Sequence, residues 1–347
     1  MFVNYLYHDA GSVMDIYSYS KAAKKLGHEI IIYGQPKKNI PLQYSLNLND
    51  VDFVIFILEW TIFSNEGDQL DLIRILDKIP RDRRIVIDCD GNYNDRVQIG
   101  KDYNHKSTKS SQLWMEIVES ISDKIFQPSL QPLKENVQTF FFHAYDSDWE
   151  KPLDFSKNDF DMIYVGHNKF RWFPMKHIID AVKPIRKELG RIGIFGHGWD
   201  KQPAWSKELD ILDNYHSKPS LLKKIDFQIL KPVPFTKLLD TMSRATLNPI
   251  IFRSIFTHFQ LTTPRMYETF AANTIPVLSM NNDLARLHFG DSAEKLVLNG
   301  SNPDVQILDF IKRPDYYANF VSDVRSHLNK YHSHALRLNE LIDLVAS

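Results

Sequence analysis

The chain has 347 residues, more than one ordinary core organises, and is expected to divide into two domains of average size. Apolar residues at 43% and charged residues at 24% exclude a disordered or fibrous chain, and a formal net charge of −1 gives no overall attraction to nucleic acid or anionic membrane. The single cysteine, Cys89, excludes an intrachain disulfide and fits a reducing compartment. MFVNYLYHDAGSV lacks the basic and apolar regions of a signal peptide, and no run reaches the roughly 18 apolar residues of a membrane span, so a cytoplasmic protein without a transmembrane segment is expected.

In chain order, MFVNYLYH predicts a short strand and DAGS a turn. VMDIYSYSKAAKKLGHE predicts a helix with Val13, Ile16, Tyr17, Ala23 and Leu26 toward one side, ended by a glycine and followed by the strand IIIYG. The alternation continues through DFVIFILEW (strand), DQLDLIRILDKI (helix), RRIVIDCDG (strand), SQLWMEIVESI (helix) and KIFQPS (strand). VQTFFFHAYD closes this half as an edge strand, and the polar DSDWEKPLDFSKNDFD reads as a linker. A second series runs from the strand MIYVGH through the helix MKHIIDAVKPIRKEL, the strand in RIGIFGHGWD, the helix TKLLDTMSRA, the strand TLNPII, the helix in PRMYETFAAN and the strand IPVLS. The remainder from NPDVQILDF onward reads as helical. The expected architecture is α/β, two Rossmann-like parallel-sheet domains facing a central cleft. Residues 1–150 form the first, 158–330 the second, and a helix in 331–347 returns to the first.

Within TTPRMYETFAANTIPVLS, Arg265 and Glu268 stand one turn apart in apolar surroundings. Pro264 suits a first helical turn, whose free N–H groups and partial positive charge favour phosphate. Arg265 would add a forked donor there, and Glu268 can accept two hydroxyls, as a ribose offers. An intrahelical ion pair on a solvated face is the plainer alternative, and the apolar flanks argue against it. In MIYVGHNKFRWFP, Gly166 permits a close backbone approach while Lys169 and Arg171 can neutralise a pyrophosphate. Thr262 and Thr263 suit a helix cap, and Arg253 and His258 lie in the loop leading to it.

These stretches resemble the C-terminal domain of GT-B glycosyltransferases, notably the spore-maturation-type bacterial enzymes and the phage DNA β-glucosyltransferases. The resemblance covers most of residues 160–290 in order and spacing, and only the general βα pattern before that. It implies that Gly166, Lys169, Arg171, Arg265 and Glu268 bind the donor's diphosphate and ribose. Gly198 and Trp199 in IFGHGWD, with Val233 and Phe235 in VPFTKLLD, would lie near its base. It also implies a loop after the first strand, HDAGS, in which Gly11 meets the donor and His8 or Asp9 takes part in acid–base work. Asp90, just past a strand end, would be the base that deprotonates the acceptor, with Asp88 and Asp95 in reserve. Asp88-Cys89-Asp90 also matches the D-x-D metal motif of the GT-A fold. That enzyme class binds its nucleotide in the N-terminal half, whereas the phosphate and ribose candidates here are C-terminal.

The implied activity is metal-independent transfer from a nucleoside-diphosphate sugar, expected to be a UDP-sugar, with no other cofactor. The acceptor is open among a glycan, small molecule, protein or modified DNA base. A nucleotide-sugar epimerase and a non-catalytic nucleotide-binding module are the alternatives.

Overall fold

A computed structural model describes residues 1–3, 12–36, 42–58, 66–94, 98–99, 102–103, 108–201, 217–298 and 300–346. Its strands are β1 (Phe2–Val3), β2 (Ile32–Tyr33), β3 (Tyr44–Ser45), β4 (Val54–Leu58), β5 (Arg84–Asp88), β6 (Gln98–Ile99), β7 (Asp102–Tyr103), β8 (Lys124–Gln127) and β9 (Val137–Thr139) in the first half. In the second half they are β10 (Phe160–Val165), β11 (Ile192–Phe195), β12 (Phe227–Leu230), β13 (Ala245–Ile250) and β14 (Ile275–Leu278). A seven-stranded sheet runs β3-β2-β1-β4-β5-β8-β9 and a five-stranded sheet runs β12-β11-β10-β13-β14, with parallel pairing throughout both.

The central strands explain this arrangement. VIFIL in β4 and RIVID in β5 are buried at every position, as strands covered by helices on both faces must be. The Val13–Leu26 helix ends at Gly27, whose φ of 81° gives the left-handed turn that its N–H needs to reach the Ala23 carbonyl. In the linker, Asp146 and Asp154 each accept the N–H two residues on, at 3.0 Å, and so shape two short 3₁₀ turns. The C-terminal stretch breaks into three helices, Pro303–Lys312, Pro314–Tyr331 and His334–Ala346, the first two opened by a proline at the first position. Leu338, Leu341 and Val345 of the last helix share one apolar cluster with Phe2, Val13 and Ile16 of the first half.

The sequence reading missed β3 and the antiparallel β6–β7 hairpin, whose two-residue strands are too short to show a period, and also β12, FQIL, which is flanked by charged residues. It also overextended the edge strand: pairing stops at Thr139, and Phe140–Ala144 continues as irregular chain. Among the described residues, no helix is long and apolar enough to cross a membrane.

In the five-stranded sheet, β11 and β12 lie to one side of β10, and β13 and β14 to the other. The strand order therefore reverses between β10 and β13, and the loops beyond their carboxyl ends flank the switch point.

Candidate functional site

The loop after β10 is held by extending the β10–β11 ladder past both strands. Gly166 N–H donates to the Phe195 carbonyl at 2.9 Å, and Asn168 N–H to the His197 carbonyl at 2.9 Å. Asn168 Nδ2 donates to the Gly198 carbonyl at 2.9 Å, and Trp199 Nε1 to the Gly166 carbonyl at 2.8 Å. Gly196 is required by contact, because a Cβ there would stand 2.0 Å from the Gly166 carbonyl oxygen. Gly198 has a φ of 82°, a backbone that side chains disfavour. Trp199 is fully buried, edge-on to Tyr164. With its N–H engaged and its ring buried, this indole forms the floor of the loop. The Gly166 N–H is likewise committed to protein.

What this floor supports is a set of cations. His167 lies in the loop with Nδ1 3.2 Å from the Lys169 N–H and 3.2 Å from Arg171 Nη1. Burial pushes its pKa well below the ordinary imidazole range, and the charges of Arg171, Arg253, Lys169 and Arg265 push it further. Those four come from three separate segments: the loop after β10, the stretch after β13, and the start of the Pro264–Ala271 helix. The structure thus brings Lys169, Arg171 and Arg265 together and adds Arg253, which the sequence had placed only loosely. Arg171 Nε is buried with no hydrogen-bond partner among the described residues.

The Pro264–Ala271 helix begins after Thr263, which sits at the N-cap without a side-chain capping bond. The capping role expected of Thr262 and Thr263 is therefore not taken up; Thr262 is fully buried, and its hydroxyl has no hydrogen-bond partner among the described residues. An uncapped first turn keeps its partial positive charge for an anion. Arg265 is half-buried, with Nη1 3.1 Å from Met242 Sδ and 3.5 Å from Glu268 Oε2. Glu268 is only 9% exposed, facing the crevice between the two halves rather than bulk solvent. Burial raises its pKa, Arg265 and His143 oppose the rise, and Asp15 of the first half adds to it. At the other end of the helix, Arg325 closes the terminal carbonyls: Nε donates to Phe270 O at 2.7 Å and Nη2 to Ala272 O at 2.8 Å, while Nη1 reaches Lys151 O at 2.9 Å.

Beside Glu268, a small cavity is lined by Asp15, Ser18, Tyr145, Tyr267 and His334, among others. Its ≈ 20 Å³ holds about one water, not a nucleotide. Asp15 accepts from Ala144 N–H at 3.2 Å and lies 2.9 Å from His143 Nδ1 and 3.0 Å from His334 Nε2. Burial alone would raise its pKa; the charge and hydrogen bond of His143, backed by His334, hold it at about 2. The sequence gave no pairing signal for these groups, which lie more than a hundred residues apart in the chain.

In the first half, Asp88 is fully buried and accepts from Asn92 N–H at 2.9 Å, Tyr93 N–H at 2.7 Å and Gln127 Nε2 at 2.9 Å. Both its oxygens shape the turn, which removes it as the reserve base. Asp90 is half-buried on that turn, next to Gly91, whose Cβ position would lie 3.0 Å from Leu261 of the second half. Ser129 pairs with Leu261 in an antiparallel bridge, and Thr262 N–H donates to Pro128 O at 2.8 Å, so this wall adjoins the approach to the Arg265 helix. Val233 and Phe235 are half-buried on the segment after β12, Phe235 packed against the cores of both halves. His8, Asp9, Gly11 and Asp95 lie outside the described residues. Among the described residues, no group of three or more His, Cys, Asp or Glu is arranged to hold a metal ion.

No protein-family model and no curated protein matches the chain. Solved structures do. An α-glucosyltransferase in complex with UDP-glucose and DNA containing an abasic site superposes with a TM-score of 0.67 at 13% identity, covering 100% of this chain and 98% of the other. T4 phage BGT in complex with UDP and Mn2+ gives 0.60 at 13% identity, over 99% of each chain. The DNA-modifying enzyme β-glucosyltransferase, solved with and without uridine diphosphoglucose, gives 0.59 at 13% identity over both whole chains. At such identity the likeness establishes a shared fold, and that fold is GT-B: two parallel-sheet halves about a crevice.

Proposed function

We propose that the chain is a glycosyltransferase that moves a sugar from a UDP-sugar to a hydroxyl on a modified base in DNA. The observation that carries the donor half is Arg171 Nη1 at 3.2 Å from His167 Nδ1, at the switch point of the second sheet, with the charges of Lys169, Arg253 and Arg265 also felt by that ring. Four cations so placed suit a diphosphate, and Glu268, a turn along the same helix, suits the adjoining ribose. The donor's diphosphate gains charge as the glycosidic bond breaks. Preorganised cations and an uncapped helix start stabilise that charge most in the transition state. On this reading no metal is required, because the protein's own cations supply the countercharge.

Asp90 is the proposed base, taking the acceptor hydroxyl's proton as the oxygen attacks the sugar. Its place beside the 259–262 segment supports that role. His8, Asp9 and Gly11 remain proposed contributors from the loop after β1, and Val233 and Phe235 remain proposed neighbours of the nucleobase. The DNA acceptor rests on fold analogy, since the similar structures hold DNA with an abasic site or a HMU base. Arg96, Lys101 and Lys106, in the stretch before the Thr108–Ile121 helix, are the side chains there that a DNA phosphate would meet on this reading. The single cysteine fits the reducing interior of a cell, the compartment of such a substrate.

The test has two stages. A thermal-shift screen of nucleoside diphosphates should show the largest stabilisation with UDP. Incubation with UDP-glucose and duplex DNA carrying a hydroxymethylated pyrimidine should then release UDP and glycosylate the base, with full activity in EDTA. Formation of an epimerised sugar nucleotide without DNA and without net UDP release would replace this reading with the epimerase. Since solved enzymes named for both anomers share the fold, NMR of the product's anomeric proton decides the stereochemistry; inversion is expected if Asp90 is the base.

A further inference from the structure

We propose that His167 is a proton-coupled positioning residue of the diphosphate site. It holds Arg171 on Nδ1 in the ligand-free chain, and takes one proton from solvent once a diphosphate draws that guanidinium away. The inference rests on the diphosphate reading given above and deepens it.

The hydrogen bonds define the starting state. The Lys169 backbone N–H and Arg171 Nη1 both approach His167 Nδ1, each at 3.2 Å. Neither group can accept, so Nδ1 carries a lone pair and the ring proton lies on Nε2. The imidazole is therefore neutral. Its surroundings enforce that state. From its own loop it meets Lys169 and Arg171, from the stretch after β13 Arg253, and from the Pro264–Ala271 helix Arg265. Added positive charge on the ring would meet repulsion from every one of these directions, in a partly desolvated place.

Arg171 is held loosely in this arrangement. Nη1 is shared among the ring nitrogen, the Lys169 carbonyl at 3.2 Å and the His167 carbonyl at 3.5 Å, while Nε has no partner among the described residues. A phosphate oxygen is a charged acceptor and forms shorter, stronger bonds with a guanidinium than a neutral ring nitrogen does. When the diphosphate enters, two things change together: the ring is surrounded by compensated charge, and its lone pair is released from Arg171. Both favour imidazolium. The balance is this: the bonds of Arg171 Nη1 and of the Lys169 N–H to Nδ1 are both given up, one solvent proton is bound at Nδ1, and the site gains a fifth positive charge. The neutral imidazole thus serves as a stand-in acceptor that keeps the cationic loop ordered before the donor arrives.

The test is calorimetry of UDP binding at neutral pH in two buffers with different heats of ionisation, which counts protons taken up per UDP. A terminal phosphate entering a cationic site releases protons, the opposite sign, so the comparison is between wild type and H167N. Asparagine offers an oxygen acceptor near the Nδ1 position but cannot titrate. Wild type is expected to take up more protons than H167N, and its UDP affinity to fall with rising pH by up to about tenfold per unit more steeply. Equal proton counts with UDP still bound overturn the inference and leave the diphosphate site standing. No nucleoside diphosphate binding by the wild type overturns both. Should H167N fail to fold, histidine ring-carbon NMR of the wild type decides: one imidazole is expected to move from the neutral to the protonated shift when UDP is added, and the absence of any such signal overturns the inference.

Discussion

The two walls of the crevice handle charge in opposite ways. On the seven-stranded side, each buried carboxylate is compensated: Asp15 lies between His143 and His334, and Asp88 accepts two backbone N–H groups and Gln127. On the five-stranded side, Lys169, Arg171, Arg253 and Arg265 crowd one imidazole, with Glu268 the carboxylate paired to Arg265, at a loose 3.5 Å. A protein built for stability alone would not concentrate like charges in a half-buried place. The difference teaches where to look for a ligand: carboxylates bonded to histidines and backbone hold the chain together, and charge of one sign gathered from three segments suits an anion.

This contrast can be broken at several strengths. The largest effect is expected from Arg265→Ala, which should lower kcat/KM for UDP-sugar turnover by about 2–4 kcal/mol in transition-state terms, with little loss of melting temperature. Near-normal turnover would remove Arg265 from the site. Next comes acid. His288 is buried, and that burial, with the charge of Arg337, lowers its pKa to about 4. The unfolded chain binds that proton near pH 6.5 while the folded one does not, so stability is full above pH 6.5 and falls as pH drops toward 4, by about 3 kcal/mol. Denaturant melts at pH 7 and 4.5 check this, and His288→Gln should flatten the difference. Asp15→Asn should cost about 2 kcal/mol, because a carboxyl held at about 2 contributes stability above pH 3.8 that is lost as pH falls to about 2. Unlike Arg265→Ala, it should lower the melting temperature. Trp199→Phe, which deletes the bond to the Gly166 carbonyl, should cost about 1 kcal/mol and weaken UDP binding in isothermal titration. Smallest of all, Lys176→Ala removes an exposed pair with Asp180 and should stay within about 0.5 kcal/mol.

Much of the architecture was legible because parallel strands announce themselves. β4, β5, β10 and β13 are apolar runs bounded by polar or small residues, and Gly27 marks the end of the first helix. The helix of Arg265 and Glu268 was legible from Pro264 and the apolar flanks. What stayed hidden depends on packing between distant segments. Nothing in GHNKFR shows that the histidine would collect cations from three segments, or that Trp199 would turn inward. Asp15, His143 and His334 are ordinary residues in sequence and a single network in space. Asp88 and Asp90 looked alike until the turn drew two backbone N–H groups onto Asp88 and buried it, while Asp90 stayed half-buried.

The grip of Arg325 has a mechanical consequence. By holding the Phe270 and Ala272 carbonyls it ties the Pro264–Ala271 helix to Pro314–Tyr331, and that long helix leads within three residues into His334–Ala346, seated on the opposite half. The two C-terminal helices thus form a strap with one end fastened behind Glu268 and the other behind β1. The segment that presents Arg265 is therefore anchored, through one continuous run of chain, to the core of the opposite half.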